Sequence, residues 1–248
     1  MTYRGFATLE LIELPDRVVA TLNRPETRNA IDLAMVEELH AVCELVESGQ
    51  HALLITGAGG TFAAGADIAQ LQQRGRDEAL SGINSRLFDR IARLPALTLA
   101  AIDGPALGGG AELAYACDIR IVTPTARFGN PEPGLGILPA AGACWRLAEL
   151  VGKSVAKQVL LGGYTLHAEQ AMRVGLASEI VAREELLARA HRILDRTSAW
   201  SPLALRLTKL VLDSDGAHPL ADDLAQAILF DTQDKRDRMT AFLEGNGR

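Results

Sequence analysis

The chain has 248 residues, 48% of them hydrophobic but only 4% aromatic, and carries 25 basic against 31 acidic side chains for a formal charge of −6. That length suffices to bury roughly 70–75% of the unfolded surface without disulfides or metals, and so many small residues with so few rings imply close packing of helices and strands. A net acidic chain with no basic block is not built to take nucleic acid as its main partner.

No run reaches the roughly 18 apolar residues of a membrane span. The first residues, MTYRGFATLELIELPDR, carry charges in every short window and read as no signal-peptide core. Cys43, Cys117 and Cys144 are odd in number, lack metal-ligand spacing and each fall in an apolar pattern, which predicts buried free thiols. His40, His51, His167, His191 and His218 share no pattern, so no metal site is expected. A reducing, soluble compartment, the cytoplasm, fits these features.

In chain order, Phe6 to Leu14 and Val18 to Leu22 read as two strands joined around Pro15-Asp16-Arg17. Asp32 is placed to cap a helix in which Met35, Leu39, Val42 and Val46 recur at helical spacing, closed by Gly49. His51 to Thr56 is a short apolar strand ending at Gly57-Ala58-Gly59-Gly60. The segment Phe62 to Ile68 is too rich in glycine and alanine for a strand, and Asp67 in it reads as a helix cap. Residues 77–94 read as one amphipathic helix, a candidate pocket wall, with Leu80, Ile83, Leu87, Phe88, Ile91 and Leu94 on one face.

The next strand, Leu97 to Ile102, delivers the stretch around which the chain is organised, Asp103 to Pro139. Gly108, Gly109 and Gly110 precede a helix-like pattern from Ala111 to Cys117. A strand, a glycine turn and a helix start leave N–H groups unpaired with the helix dipole behind them, an arrangement suited to an oxygen gaining negative charge. Glu112 sits in the first helical turn, and Glu132 lies between Pro131 and Pro133. Two carboxylates beside such a turn are what proton transfer next to a carbonyl needs.

Two commoner glycine motifs are excluded by position. A dinucleotide fingerprint from Gly108 would need glycine or alanine at Leu113, and one from Gly57 would need glycine at Phe62. Gly152-Lys153-Ser154 has Leu147 where a phosphate-cradling loop would start with glycine. Asp118 to Thr123 reads as a further strand, so strand, turn and helix recur, which favours a layered α/β core with parallel strands. From about Ser154 the pattern is helical: Thr165 as cap of a helix ending near Gly175, a short strand at Ser178 to Val181, a long helix from Arg183 to Trp200, one starting at Ser201-Pro202, and two more near Pro219 to Phe230 and Asp234 to Leu243. The acidic stretch Asp213 to Asp223 reads as solvated surface. A boundary near residue 195 separates a core with the site, 1–195, from a helical oligomerisation region, 196–248.

These pieces resemble the crotonase, or enoyl-CoA hydratase/isomerase, family. The resemblance is carried by Leu22-Asn23-Arg24-Pro25 with Asn29-Ala30, by Phe62 to Ile68, and by Gly104 to Leu113. Asp118-Ile119-Arg120, Phe128 to Glu132, Leu138-Pro139, Arg146-Leu147 and Val151-Gly152-Lys153 continue it across nearly the whole chain. It implies a spiral of strand–strand–helix repeats followed by a helical region used in trimer assembly, as a homotrimer or dimer of trimers. It implies an acyl-CoA thioester substrate, with coenzyme A part of that substrate and no separate cofactor. By matching position, the N–H groups of Ala66 and Gly109 form the oxyanion hole, and Glu112 and Glu132 stand where the hydratases carry two catalytic glutamates. Ala64, Ala66, Asp67, Ile68, Gly108 and Gly109 fall along the coenzyme A path. Ala69 replaces a lysine that many hydratases place near the coenzyme phosphates, and Trp145 adds bulk expected near the second glutamate.

Taken singly, Glu112 could simply complement a helix N-terminus and Glu132 could be an ordinary turn residue. Together they favour an enoyl-CoA hydratase. An isomerase moving a 3-enoyl to a 2-enoyl double bond would need only one base, and a non-catalytic acyl-CoA binder would need neither.

Overall fold

The computed structural model describes residues 5–49, 51–214 and 218–245. Residues 1–4, at the start of the segment read as lacking a signal core, and 215–217, inside the acidic stretch, lie outside them. Two compact units result, Met1–Ile193 and Leu194–Arg248.

In the first unit, β1 (Leu9–Leu14) and β2 (Arg17–Leu22) form an antiparallel hairpin. α1 (Leu33–Gly49) starts where Asp32 Oδ1 accepts the Met35 N–H at 2.8 Å, and it buries Met35, Leu39, Val42 and Val46. β3 (Ala52–Gly57), β4 (Thr98–Ile102), β6 (Ile119–Val122) and β9 (Glu179–Ile180) extend the hairpin into a six-stranded sheet in the order β1-β2-β3-β4-β6-β9, parallel from β2 onward. β2, β3, β4 and β6 are mostly Val, Ile, Leu and Ala and mostly buried, as strands covered on both faces require, whereas the edge strand β1 carries Glu10 and Glu13. A second sheet, β5-β7-β8, is built from β5 (Pro105–Leu107), β7 (Arg127–Gly129) and β8 (Leu166–His167). Successive strand–strand–helix repeats send one strand to each sheet: β4 and β5 precede α5 (Gly109–Ala116), and β6 and β7 follow it. The fold is the crotonase-like spiral expected from the motifs.

Several local readings differ from the sequence pattern. The helix expected over 77–94 is two, α3 (Arg76–Ser81) and α4 (Ile83–Ala92), after a first short α2 (Ile68–Gln73). Gly82, at φ +65°, sits in the left-handed region that ends a helix, so Leu80 leaves the buried face and is 70% exposed, while Leu87, Phe88 and Ile91 stay buried. Thr165 does not cap α7 (Ala168–Arg173): β8 pairs with β7 right after it, and the cap moves to His167, whose N–H donates to Gln170 Oε1 at 3.0 Å. Cys43 and Cys117 are buried as expected, but Cys144 is exposed, turned outward by a π-helical turn, Ala143–Leu147, that leads into α6 (Ala148–Leu160). The long helix begins as a 3₁₀ turn at Arg183–Glu185 before α8 (Leu186–Ser198).

In the second unit, α9 (Pro202–Leu212), α10 (Leu220–Phe230) and α11 (Gln233–Leu243) follow, with Ser201 and Thr232 as side-chain caps of α9 and α11. Leu220, Leu224 and Ile228 of α10 and Phe242 and Leu243 of α11 are exposed, as are Asp213, Asp222 and Asp223. Among the described residues no helix is long and apolar enough to cross a membrane.

Candidate active site

Three neighbouring extended segments run parallel and end together. Ala63 bridges Ala106 of β5, and Ala106 pairs with Phe128 of β7. The Leu107 N–H donates to Ala63 O at 3.0 Å and the Gly108 N–H to Gly129 O at 2.8 Å. The residues that follow each segment, Ala66, Gly109 and Glu132, therefore emerge at one place, beyond the C-terminal ends of parallel strands, where α/β folds leave a crevice.

Two glycines make the approach possible. A Cβ on Gly110 would lie 2.3 Å from Ala63 O, so α5 can start against the Ala63 segment only with glycine there. Gly108 takes φ +50°, and its Cβ position is 3.0 Å from Glu132 Oε1. The loop bearing Ala66 is fixed from its other side. Asn29 Nδ2 donates to Ala58 O, Thr61 O and Phe62 O, and Arg24 Nη1 donates to Ala30 O while pairing with Asp32 Oδ2 at 3.1 Å and Asp67 Oδ2 at 3.6 Å. Sequence reasoning named Arg24 and Asn29 only as family motif; their work is to hold this loop.

The Ile31 N–H donates to Gly65 O and the Asp67 N–H to Ile31 O, which turns the N–H of the intervening Ala66 away from Ile31. Among the described residues neither the Ala66 nor the Gly109 N–H donates to a protein acceptor. Gly109 is the first residue of α5, so no acceptor within the helix exists for it. The two donors are neighbours: the Cβ position of Gly109 is 3.4 Å from Ala66 N.

Both glutamates are buried, Glu112 to 3% exposure and Glu132 to 8%. Glu112 Oε1 accepts the Ala141 N–H at 2.8 Å and the Ala143 N–H at 3.1 Å, and Oε2 takes no bond among the described residues. Burial pushes the Glu112 carboxyl up to about 7; the Ala143 and Ala141 N–H groups and Arg146 hold it back, while the Glu132 charge adds to the rise. Glu132 is also raised by burial. Its Oε2 and the Asn130 Nδ2 are buried without a partner in hydrogen-bond geometry, although the Asn130 amide is near enough to restrain the rise. Tyr115 Oη donates to Asn130 Oδ1 at 3.2 Å and so orients that amide.

A cavity of about 420 Å³ opens here, lined by Ala64, Ala66, Ile68, Gly108, Gly109, Glu112 and Glu132, with Leu71, Ala79, Ile83, Leu135, Ile137 and Leu138 as an apolar wall. Of the residues expected on the coenzyme path, Asp67 is absent from this lining. Its carboxylate caps α2, accepting the Ala69 and Gln70 N–H groups at 3.1 and 3.2 Å. Trp145 does not add bulk to the cavity either. It is 43% exposed and stacks under Arg146, because the π-helical turn carries it to the outside.

Residues 17–246 match the family model described as enoyl-CoA hydratase/isomerase. The chain belongs to that family. It is an enzyme family, and the resemblance of the motifs is thereby explained. The short-chain-enoyl-CoA hydratase of Clostridium acetobutylicum is 37% identical over 239 residues, covering 91% of this chain and 90% of that protein. The crotonyl-CoA hydratase of Syntrophomonas wolfei is 39% identical over 91% of both. The crystal structure of an enoyl-CoA hydratase from Bacillus anthracis superposes with a TM-score of 0.90 at 28% identity, covering 97% of this chain and all of that one.

Proposed function

We propose that the protein hydrates 2-enoyl-CoA thioesters to 3-hydroxyacyl-CoA. The observation that carries this is the meeting of two buried carboxyl groups with two unbonded N–H groups in one cavity. Conjugate addition places negative charge on the thioester oxygen, and the Ala66 and Gly109 N–H groups are available to receive it, at about 3 kcal/mol per donor. Burial raises both carboxyls, so one of them can hold a proton near neutral pH. The ionised one takes a proton from water as the hydroxyl bonds to the far carbon, and the protonated one gives its proton to the carbon next to the carbonyl. The pair thus works with one proton between them, and proton exchange with solvent restores it.

The relatives named as short-chain and crotonyl-CoA hydratases support the thioester class. Hydration is redox-neutral, so coenzyme A enters only as part of the substrate. We extend the reading to assembly: the exposed apolar positions of α10 and α11 bury against further copies of the chain, completing a weak helical core.

A panel of 2-enoyl thioesters, followed by loss of the conjugated thioester absorbance, tests the reaction. Isomerisation of the matching 3-enoyl thioesters is measured alongside. Hydration by the parent that is lost in both Glu112→Gln and Glu132→Gln supports the assignment. Isomerisation without hydration, lost in only one of these variants, would replace it.

A further inference from the structure

We infer that Arg146 is a positioning residue for Glu112, clamping the Ala141–Ala143 segment from behind and supplying a fixed positive charge to the carboxylate in front of it. The inference rests on the hydratase reading only for its rate effect, not for its electrostatic content.

The Ala141–Ala143 segment is held between two charged groups. In front, Glu112 Oε1 takes the N–H groups of Ala141 and Ala143. Behind, the guanidinium of Arg146 lies against the same backbone: Nη1 donates to Ala141 O at 3.5 Å, and a Cβ on Gly142 would come within 2.5 Å of Nη1. Gly142 sits at φ +137°, a conformation that side chains rarely adopt, so the backbone here is shaped to admit the guanidinium. The Arg146 side chain is only 10% exposed; its Nη2 donates to Asp89 Oδ1 on α4 at 3.1 Å, and its Cζ lies 5.0 Å from the centre of the Trp145 ring. Asp89 and Trp145 therefore fix the guanidinium, and the guanidinium fixes the segment. The π-helical turn places Arg146 four residues past Gly142, its N–H bonded to Gly142 O at 2.8 Å, so the clamp closes within one turn.

A buried cation that touches a carboxylate's own donors should favour the ionised form. The charged and titratable groups facing Glu112 are Glu132 from a 3₁₀ turn at Glu132–Leu135, Arg146 and Cys144 from the π-helical turn, and Tyr115 from α5. Arg146 is the one cation among them. Arg146 in turn feels Asp89 and Arg93 around α4 and Glu149 on α6, besides Glu112. Removing the Arg146 charge leaves only the Ala143 and Ala141 N–H groups against burial and Glu132, and drives the Glu112 carboxyl upward. Removing Asp89 leaves the Arg146 charge less neutralised and drives it downward.

The test is a carbon-13 NMR titration of the Glu112 carboxyl, assigned by its loss in Glu112→Gln, in the full chain and in Arg146→Met, Arg146→Lys and Asp89→Asn. Hydration rates are measured on the same proteins. The expected result is an upward shift of roughly half a pH unit or more in Arg146→Met, with turnover reduced on the order of 10²-fold by the loosened segment. Arg146→Lys should return the titration toward the parent value while leaving turnover reduced, since it keeps the charge and loses the fork. Asp89→Asn should shift the titration down. A folded Arg146→Met whose Glu112 titrates as in the parent would overturn the inference. Should Arg146→Met fail to fold, an unmoved titration in Asp89→Asn would overturn it instead. A parent that titrates as described but does not hydrate would overturn the hydratase reading and leave the electrostatic assignment standing.

Discussion

The most informative single change is Glu112→Gln, because activity and stability should move in opposite directions. Glu112 is buried, and its carboxyl is pushed from an ordinary 4.5 up to about 7. Between those two values the folded protein holds the proton that the unfolded chain releases, so stability falls as pH rises through this window. Above pH 7 the native state carries the full cost of the buried charge. At 1.36 kcal/mol per pH unit, that cost is about 3 kcal/mol. It shrinks to under about 1 kcal/mol at pH 5, where the folded carboxyl is neutral. Glutamine keeps the shape and an oxygen for the Ala141 and Ala143 N–H groups but never ionises. The variant should therefore melt roughly 5–10 °C above the parent at pH 8 and nearly with it at pH 5. Its hydration rate should fall by about 10²–10⁴-fold. Thermal melts of both proteins at pH 5 and pH 8 decide the matter. A variant no more stable than the parent at pH 8 would refute the claim that the site strains to hold this charge.

Other outcomes follow from the same geometry. Glu132→Gln should also lose about 10²–10⁴-fold in hydration, and the double variant should be far less impaired than the product of the singles, because both carboxyls act on one water. Gly109→Pro is compatible with the first position of α5 but removes a donor, so a folded variant should lose at least ~100-fold in turnover; near-normal turnover would place the oxyanion elsewhere. Gly110→Ala puts a Cβ 2.3 Å from Ala63 O and should cost about 1–3 kcal/mol or more in stability, read as a lowered denaturation midpoint. Truncation before Pro219 should yield insoluble or monomeric protein by size-exclusion with light scattering; a soluble, active monomer would refute self-association through the exposed faces of α10 and α11.

The pH dependence of hydration has a definite sign. The working state holds one proton between Glu112 and Glu132, so kcat/KM should fall as pH rises past the upper titration of the pair, near or above 7. A rate that stays flat from pH 6 to pH 9 would contradict this sharing.

What the sequence determined by itself is local and sequential. Strand runs such as Leu97 to Ile102, the glycine turn at Gly108, Asp32 and Ser201 as caps, and the glutamates at the helix start and between two prolines follow from residue chemistry over a few positions. These signals hold because backbone conformation and capping are decided by near neighbours. The sequence was misleading where local geometry breaks a pattern: Gly82 splits the helix read over 77–94, and the π-helical turn exposes Cys144, whose apolar neighbours suggested burial, and carries Trp145 away from the cavity it was expected to narrow. Tertiary structure alone decided what converges. Ala63, Ala106 and Phe128 become neighbours through backbone pairing between segments far apart in the chain, and only that pairing brings Ala66, Gly109 and Glu132 to one end of a sheet. The burial that lifts Glu112 to about 7, and the Asp89–Arg146 pair behind the Ala141–Ala143 segment, likewise arise from α4, α5 and the π-helical turn packing together. Desolvation and charge proximity depend on distances through space, which residue spacing along the chain does not encode.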